Sequence, residues 1–266
     1  NDAPIVDTEI EDQTVNNTDP FSLDVSSNFS DVDADDILSF SATDLPDGLA
    51  ISTTGEITGT ATEVGSFSVT ITAEDLATES VSDSFDLTVF GVITGTSGRD
   101  RLGGNELPNQ IEGAEGNDRI SGYSNDDYLI GGDGNDYLNG GSDNDSIEGG
   151  AGRDRLLGGK DMDTLSGGDG NDLLQGGTED DRLIGGDGLD RLYGNQGADT
   201  FVLESGMGKD TIYDFVVGED ILELSAGVTG TLTLTESGRN TFIEEDDTAI
   251  AILRGITDVE LGDLGL

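Results

Sequence analysis

An aspartate recurs at nine-residue intervals through the middle of this chain, at Asp100, Asp118, Asp127, Asp136, Asp145, Asp154, Asp163, Asp172, Asp181, Asp190 and Asp199. The one slot in the series without it holds Asn109. A carboxylate can act as a general acid or base, as a nucleophile, or as a ligand for a hard cation. The chain has no histidine and no cysteine. Ser-His-Asp and Cys-His constellations, disulfides, and metals held by His or Cys are therefore excluded. Residue type alone leaves glycosidase-like carboxylate pairs open. Yet every acidic cluster here sits in a repeat or a turn, and aromatic platforms for a sugar are scarce, at 5% aromatic residues and no tryptophan. Ligation by oxygen is the chemistry that remains, and oxygen suits Ca²⁺. The net charge agrees. The formal value is −46, from 57 acidic and 11 basic side chains. Such a field repels nucleic acid and anionic membrane surfaces and draws cations.

The aspartates belong to a strict repeat. Residues 95–202 divide into twelve nine-residue units without insertion, among them GAEGNDRIS, GGDGNDYLN and GGAGRDRLL. Glycine opens all twelve, aspartate holds the sixth place in eleven, and an aliphatic residue or Phe holds the eighth in all twelve. Fixed-period repetition predicts a solenoid in which each unit buries its apolar residue only against its neighbours. The glycine-rich first six residues can turn tightly and aim carbonyls at an ion. The last three can form a short strand with the eighth side chain inward. Two units then make one coil of 18 residues, and the turns stack in two columns.

An 18-residue modulation distinguishes those columns. Odd-numbered units carry glycine at the fourth place: Gly98, Gly116, Gly134, Gly152, Gly170 and Gly188. Even-numbered units carry Leu107, Asn125, Asp143, Asp161, Glu179 and Gly197 there. Ca²⁺ takes six to eight oxygens, more than one turn supplies. Ligating pairs are therefore expected one coil apart, as Asp118 with Asp136 and Asp136 with Asp154, completed by carbonyls of the fourth-place glycines. In the even column Asn125, Asp143, Asp161 and Glu179 are candidate ligands as well, and that column is expected to hold weaker or fewer ions. The unit with Pro108 and Asn109 is expected to form a defective first site. Without cations the carboxylates repel and the few aliphatics cannot offset ordering entropy, so folding and ion binding should be one event. Arg99, Arg101, Arg153 and Arg155 read as surface partners of aspartates, and Glu244–Asp247 as a solvated hairpin turn.

Around the repeat the pattern is that of strands. Before residue 91 apolar and polar residues alternate, as at Phe21, Leu23 and Val25, at Phe67, Val69, Ile71 and Ala73, and at Phe85, Leu87 and Val89. Six or seven such runs separated by Asp, Gly, Asn and Pro predict a β-sandwich over residues 1–91. The roll is expected over 92–202. From Phe201 onward the repeat is expected to stop, leaving 203–266 as a β-rich cap over the last rung. No apolar run approaches the ~20 residues of a membrane-spanning helix. No basic stretch followed by an apolar one opens the chain, which starts at NDAP and reads as part of something longer.

Residues 95–202 resemble the RTX (repeats-in-toxin, hemolysin-type) family, and GADTFVLESGMGKDTIYDFVVGEDILELSA resembles the segment that follows such repeats. The resemblance implies a parallel β-roll, a right-handed β-solenoid, with several Ca²⁺ in its turns. It also implies type I secretion, unfolded inside the cell and folding outside. The terminal TDVELGDLGL does not carry the family's export signal clearly enough to assign it. Residues 1–91 resemble cadherin-like domains of the dystroglycan type through NDAP, DVDADDILSFSA, LPDGLAISTTGEITGTA and VGSFSVTITAED. That resemblance implies Ca²⁺ at Asp31, Asp33 and Asp36, with Asp2, Glu74 and Asp75 as weaker candidates. No second NDxP closes the domain, which leaves a junction site incomplete.

The expected fold is thus all-β, an Ig/cadherin-like sandwich followed by a calcium-loaded roll and a cap. The expected role is non-enzymatic: a calcium-binding segment of a secreted or cell-surface bacterial adhesion or matrix protein, with calcium, neighbouring domains and surface glycans or matrix as partners. Two alternatives stand beside it. One is the accessory C-terminal region of a secreted polysaccharide-acting or proteolytic enzyme; the other is a carbohydrate-binding module.

Overall fold

The computed structural model describes residues 2–33, 37–206, 208–264 and 266, and it is all-β apart from two single-turn 3₁₀ segments, Ser26–Asn28 and Leu261–Leu264. The chain divides into two compact units, residues 1–92 and 93–266.

The first unit is a sandwich. One of its sheets is built on the hairpin of Gly65–Glu74 and Ser80–Thr94, with Val69 opposite Phe85 and Phe67 opposite Leu87. Ser39–Thr43 pairs antiparallel with Gly65–Glu74, and Gln13–Asn16 runs parallel to Ser80–Thr94. The other sheet joins Phe21–Asp24 to Glu56–Gly59, which also pairs with Leu49–Ile51. The period-2 residues do what their spacing predicts. Val69, Ile71, Ala73, Phe85, Leu87 and Val89 are buried, and the polar residues between them are not.

The second unit is a solenoid of two parallel sheets, each with seven rungs spaced one coil apart. In one sheet Arg119 lies beside Tyr137 and Tyr137 beside Arg155; in the other Tyr128 lies beside Ser146 and Ser146 beside Thr164. Each partner is 18 residues on. The eighth-place side chains from Ile111 through Leu138, Leu156 and Leu174 to Phe201 form one apolar column between the sheets, each at most 1% exposed. Before the last unit nothing else in a unit is both large and apolar and buried, so each coil gives the core two side chains, one from each sheet.

The rungs do not end with the nine-residue spacing. Asp210–Ile212 extends one sheet and Ile221–Leu224 the other, both parallel, with Arg191 beside Thr211 and Phe201 beside Leu222. Only then does the cap proper begin. Thr248–Arg254 lies parallel on Asp210–Ile212, and Asn240–Glu245 and Leu232–Ser237 follow antiparallel. The nine-residue period stops at Phe201 as expected, but the stacking of rungs runs on past it. The units lengthen there, which breaks the period in sequence but not the stacking in space.

Candidate metal centre

The sixth-place residues form two ladders, one for each column of turns. In the odd column the backbone N–H of Asp118 donates to Asp136 Oδ1 at 2.7 Å, that of Asp136 to Asp154 Oδ1 at 2.8 Å, and that of Asp154 to Asp172 Oδ1 at 2.7 Å. Asp100 begins this ladder and Asp172 continues it to Asp190. In the even column the same bond runs from Asn109 to Asp127, on to Asp145, Asp163 and Asp181, and then to Asp199. Every expected pair one coil apart is thus brought into contact.

One oxygen of each carboxylate is used by the ladder. The other, Oδ2, is buried without a hydrogen-bond partner in Asp118, Asp127, Asp136, Asp145, Asp154, Asp163, Asp172, Asp181 and Asp190. These residues are 1–3% exposed. A buried anionic oxygen with nothing to hold costs several kcal/mol unless a counter-charge is present. The proton affinities register the same deficit. Burial, partly offset by the ladder hydrogen bond, pushes Asp145 and Asp181 up to about 8, Asp127, Asp154 and Asp163 up to about 7, and Asp172 and Asp199 up to about 6. A divalent cation against the free oxygens removes the cause of the shift. Glycine at the first place leaves room beside them, since a β carbon at Gly131 would lie 2.5 Å from Asp136 Oδ2 and one at Gly149 2.6 Å from Asp154 Oδ2.

The donor set fits Ca²⁺ and not a transition metal, because oxygen is all it offers. Among the described residues no three acidic side chains gather at one point. A site here would take carboxylates from two stacked turns and fill its remaining positions with backbone carbonyls.

The fourth places separate the columns. Gly116, Gly134, Gly152, Gly170 and Gly188 sit at φ between 135° and 144°. A β carbon on any of them would overlap the carbonyl oxygen of the fourth-place glycine one coil below, starting with Gly98. The odd column can therefore hold only glycine there. In the even column Asn125, Asp143, Asp161 and Glu179 adopt the left-handed conformation at φ 70–76° and are exposed. Their side chains cap one another: Asn125 N–H donates to Asp143 Oδ2 at 3.0 Å, Asp143 N–H to Asp161 Oδ2 at 3.1 Å and Asp161 N–H to Glu179 Oε2 at 3.1 Å. This makes a solvent-facing row at the fourth place of the even column, whereas the exposed carboxylates of the odd column, Glu115, Asp133, Asp169 and Asp187, stand at the third.

Both ladders close at their ends. Asp100 Oδ2 accepts from Thr96 N–H and Thr96 Oγ1, and Asn109 Oδ1 accepts from Asn105 N–H. At the far end Asp190 N–H donates to Asp210 Oδ1 and Asp199 N–H to Asp220 Oδ1, across 20 and 21 residues instead of 18. Sequence reasoning missed Asp210 and Asp220. The signal was present: Gly208-Lys209-Asp210-Thr211-Ile212 and Gly218-Glu219-Asp220-Ile221-Leu222 repeat the fourth-to-eighth spacing of a unit.

In the first unit, Asp31 Oδ1 accepts from Asp33 N–H at 2.9 Å, and Asp33 Oδ2 accepts from Asp2 N–H at 2.8 Å. Asp31 Oδ2 is buried without a partner. Asp36 lies outside the described residues. Asp75 caps its own turn, with Oδ1 accepting from Ala77 and Glu79 N–H; Glu74 is exposed at a strand end. Among the described residues the arginines read as partners of aspartates form no ion pair within 4 Å, although Arg153 is near enough to Asp172 to oppose the rise in its carboxyl. Among the described residues the ion pair within 4 Å is Arg182 with Glu223, and Arg99 Nε donates instead to the Asn117 carbonyl at 3.1 Å.

Comparison with known proteins follows the same division. A family model described as a putative Ig domain matches residues 3–90. A second, the RTX calcium-binding nonapeptide repeat, matches four times, over 103–138, 130–165, 139–174 and 166–201. No curated protein matches the chain. Among solved structures, a putative alpha-galactosidase from Bacteroides fragilis matches at 19% identity over 35% of this chain and 20% of its own, with a TM-score of 0.27. The extracellular lipase LipA from Serratia marcescens matches at 16% identity over 65% of this chain and 39% of its own, with a TM-score of 0.29. The chain thus spans about a fifth of the galactosidase and well under half of the lipase, and likenesses this slight bear on neither fold nor activity.

Proposed function

We propose that this chain, which carries a putative Ig domain ahead of RTX calcium-binding nonapeptide repeats, is a non-catalytic segment of a secreted or cell-surface adhesion or matrix protein whose second unit folds and stiffens when it meets extracellular Ca²⁺. The row of nine buried, unpartnered carboxylate oxygens carries the reading. Burying one aliphatic side chain contributes about 2–3 kcal/mol, which offsets the backbone ordering of roughly two residues. Each unit has nine residues and one such side chain. The apolar column alone therefore does not hold the roll together; the energy of ion binding has to be folding energy as well.

The residues assigned to hold the ions are the sixth-place pairs, from Asp118 with Asp136 to Asp172 with Asp190 in one column and from Asp127 with Asp145 to Asp163 with Asp181 in the other. The carbonyls of Gly98, Gly116, Gly134, Gly152, Gly170 and Gly188 complete the odd column. Asn125, Asp143, Asp161 and Glu179 add outer oxygens to the even one. Asp100 and Asp199 flank the rows. In the first unit Asp31 and Asp33 are assigned an ion of their own, with Asp36 as third ligand. Bound Ca²⁺ supplies counter-charge and no reaction chemistry. Millimolar calcium outside a cell then acts as the folding signal for a chain that stays extended where calcium is low.

The experiment is circular dichroism and hydrogen exchange of the whole chain during a calcium titration after chelation. Strand signal and amide protection over 95–222 should rise together, steeply and with one midpoint, while protection over 65–89 is already present in chelator. Strand signal in the repeats that chelation leaves unchanged would overturn the reading.

A further inference from the structure

The outward faces of the roll's two sheets differ in charge. Each odd-numbered unit presents its fifth, seventh and ninth residues to solvent. On the sheet fed by the odd units, from Arg99 to Tyr193, these eighteen positions hold six arginines and no carboxylate. The chain as a whole has 57 acidic and 11 basic side chains, so this stripe gathers over half of its cations and none of its anions. The opposite sheet presents Glu112, Asp126, Glu148 and Asp180 at the same places, with Arg182 already bound to Glu223.

The stripe has a built shape. Its seventh-place column runs Arg101, Arg119, Tyr137, Arg155, Leu173, Arg191 in continuous parallel register. The Tyr137 ring lies between two guanidinium groups, Arg119 at 4.4 Å and Arg155 at 5.8 Å from its centroid. Arg99, Arg101, Arg119 and Tyr137 line a hollow of about 540 Å³ whose inner wall is the ladder residues Asp100 and Asp118, and Arg153, Leu173, Leu189 and Arg191 line a second of about 340 Å³ beside Asp172. Beside them the ninth-place column offers Ser121, Asn139 and Gln175.

We infer that this face binds a linear carboxylated polysaccharide. Neighbouring rungs are ~4.8 Å apart, so a polymer laid across them meets a guanidinium at most steps. A guanidinium matches a carboxylate with two parallel hydrogen bonds. Tyr137 stacks with Arg119 and Arg155 and holds their guanidinium groups in place, and the amides of Asn139 and Gln175 suit hydroxyl groups. A uronate chain carries no more than one charge per sugar, whereas duplex DNA carries one per ~1.7 Å, which the net charge of −46 opposes far more strongly. At physiological salt the Debye length is ~8 Å, so a ligand on the stripe feels mainly the stripe. The inference rests on the calcium-folded roll, since only stacked coils put these arginines in register.

The test uses the full chain in calcium, with short oligogalacturonate as the probe and a maltooligosaccharide of equal length as the neutral control. Titration calorimetry is run on the parent and two matched triple variants. One is Arg101→Gln, Arg119→Gln and Arg191→Gln; the other, off the stripe, is Lys160→Gln, Arg182→Gln and Arg239→Gln. The stripe triple should weaken oligogalacturonate binding about tenfold or more and the second triple less than about twofold. Arg119→Lys, which keeps the charge and loses the fork, should fall between. Circular dichroism in calcium separates misfolding from lost binding, and Arg119→Gln alone replaces the triple if that does not fold. Absence of binding by the parent overturns the inference while leaving the calcium reading intact. So does an equal loss in both triples, which would be a bulk charge effect, or no loss in either, which would mean calcium bridging to the acidic turns. Arginine-dependent binding of duplex DNA of equal strength, or arginine-dependent self-association without glycan, would assign the stripe to those partners instead.

Discussion

Replacing Asp145 with Asn should act in opposite directions with and without calcium. Asp145 Oδ1 accepts the Asp127 N–H at 2.9 Å, while Oδ2 is buried and free. Asparagine keeps the accepting oxygen and the volume and removes the charge. The ladder tolerates it, because Asn109 occupies the equivalent slot at 2% exposure, donating to the Asp127 carboxylate through its N–H and to the Pro108 carbonyl through Nδ2 at 3.1 Å. Burial pushes the Asp145 carboxyl up from 3.8 to about 8. Holding it ionised at pH 8 without a counter-ion would cost at most about 6 kcal/mol by that shift, and about 2–3 kcal/mol after allowing for the solvent that still reaches the site. In chelator, with trimethylamine oxide added to populate the folded roll, Asp145→Asn should therefore stabilise it by about 2–3 kcal/mol. In calcium the same change removes a ligand charge shared by the pairs above and below, so the folding midpoint should move about tenfold or more to higher calcium, with reduced steepness. The assay is circular dichroism at 218 nm or so, in parallel osmolyte and calcium titrations. Destabilisation in both conditions would mean that the carboxylate serves the ladder alone, and the argument for an ion at this pair would fail.

Two further outcomes follow from the same geometry. Gly134→Ala should destabilise the calcium-loaded roll by about 3 kcal/mol or more, since its β carbon meets the Gly116 carbonyl in a backbone region reserved for glycine; Asp143→Gly, at the same place in the other column, relieves a left-handed aspartate but gives up the cap on Asn125 and an outer oxygen, and should cost clearly less than Gly134→Ala, as thermal melts in fixed calcium would show. In chelator, strand content should grow as pH falls from 8 toward 5: the folded carboxyls of Asp127, Asp145, Asp154, Asp163 and Asp181 are raised to about 7–8, so the stability they permit is complete below the unfolded value near 4 and is lost as pH climbs through 7–8. A calcium-free chain that loses structure on acidification over that range would contradict the burial assigned to these groups.

The parts of this molecule that could be read in advance are those governed by spacing. The eighth-place column from Ile111 to Phe201 is one inward stripe because its period is fixed, and Val69, Ile71 and Ala73 are buried because theirs is two. The repeats are calcium-binding by their pattern as well as by family. The alternation of Gly134 with Asp143 was visible too, but not its cause, which is the height of a carbonyl in the coil below. Asp210 and Asp220 escaped because a solenoid tolerates extra residues in a turn while a period count does not. The arginines were misjudged for a different reason. In a chain this acidic each has carboxylates close by in sequence, yet the sixth-place carboxylate turns inward while its neighbours face solvent, so Arg153 is exposed and Asp154 buried, and successive units alternate between the two sheets.

That alternation gives the molecule a parity. Removing 18 residues would take out one whole coil and leave every later rung on its own sheet. Removing nine would exchange the columns from that point on: glycine loops would lie on aspartate loops, and the arginine stripe would cross to the acidic side. An 18-residue step is the one that keeps both columns and the arginine stripe in place, so the structural unit is the pair of nonapeptides. The nine-residue motif on which the eye settles is half a letter in that alphabet.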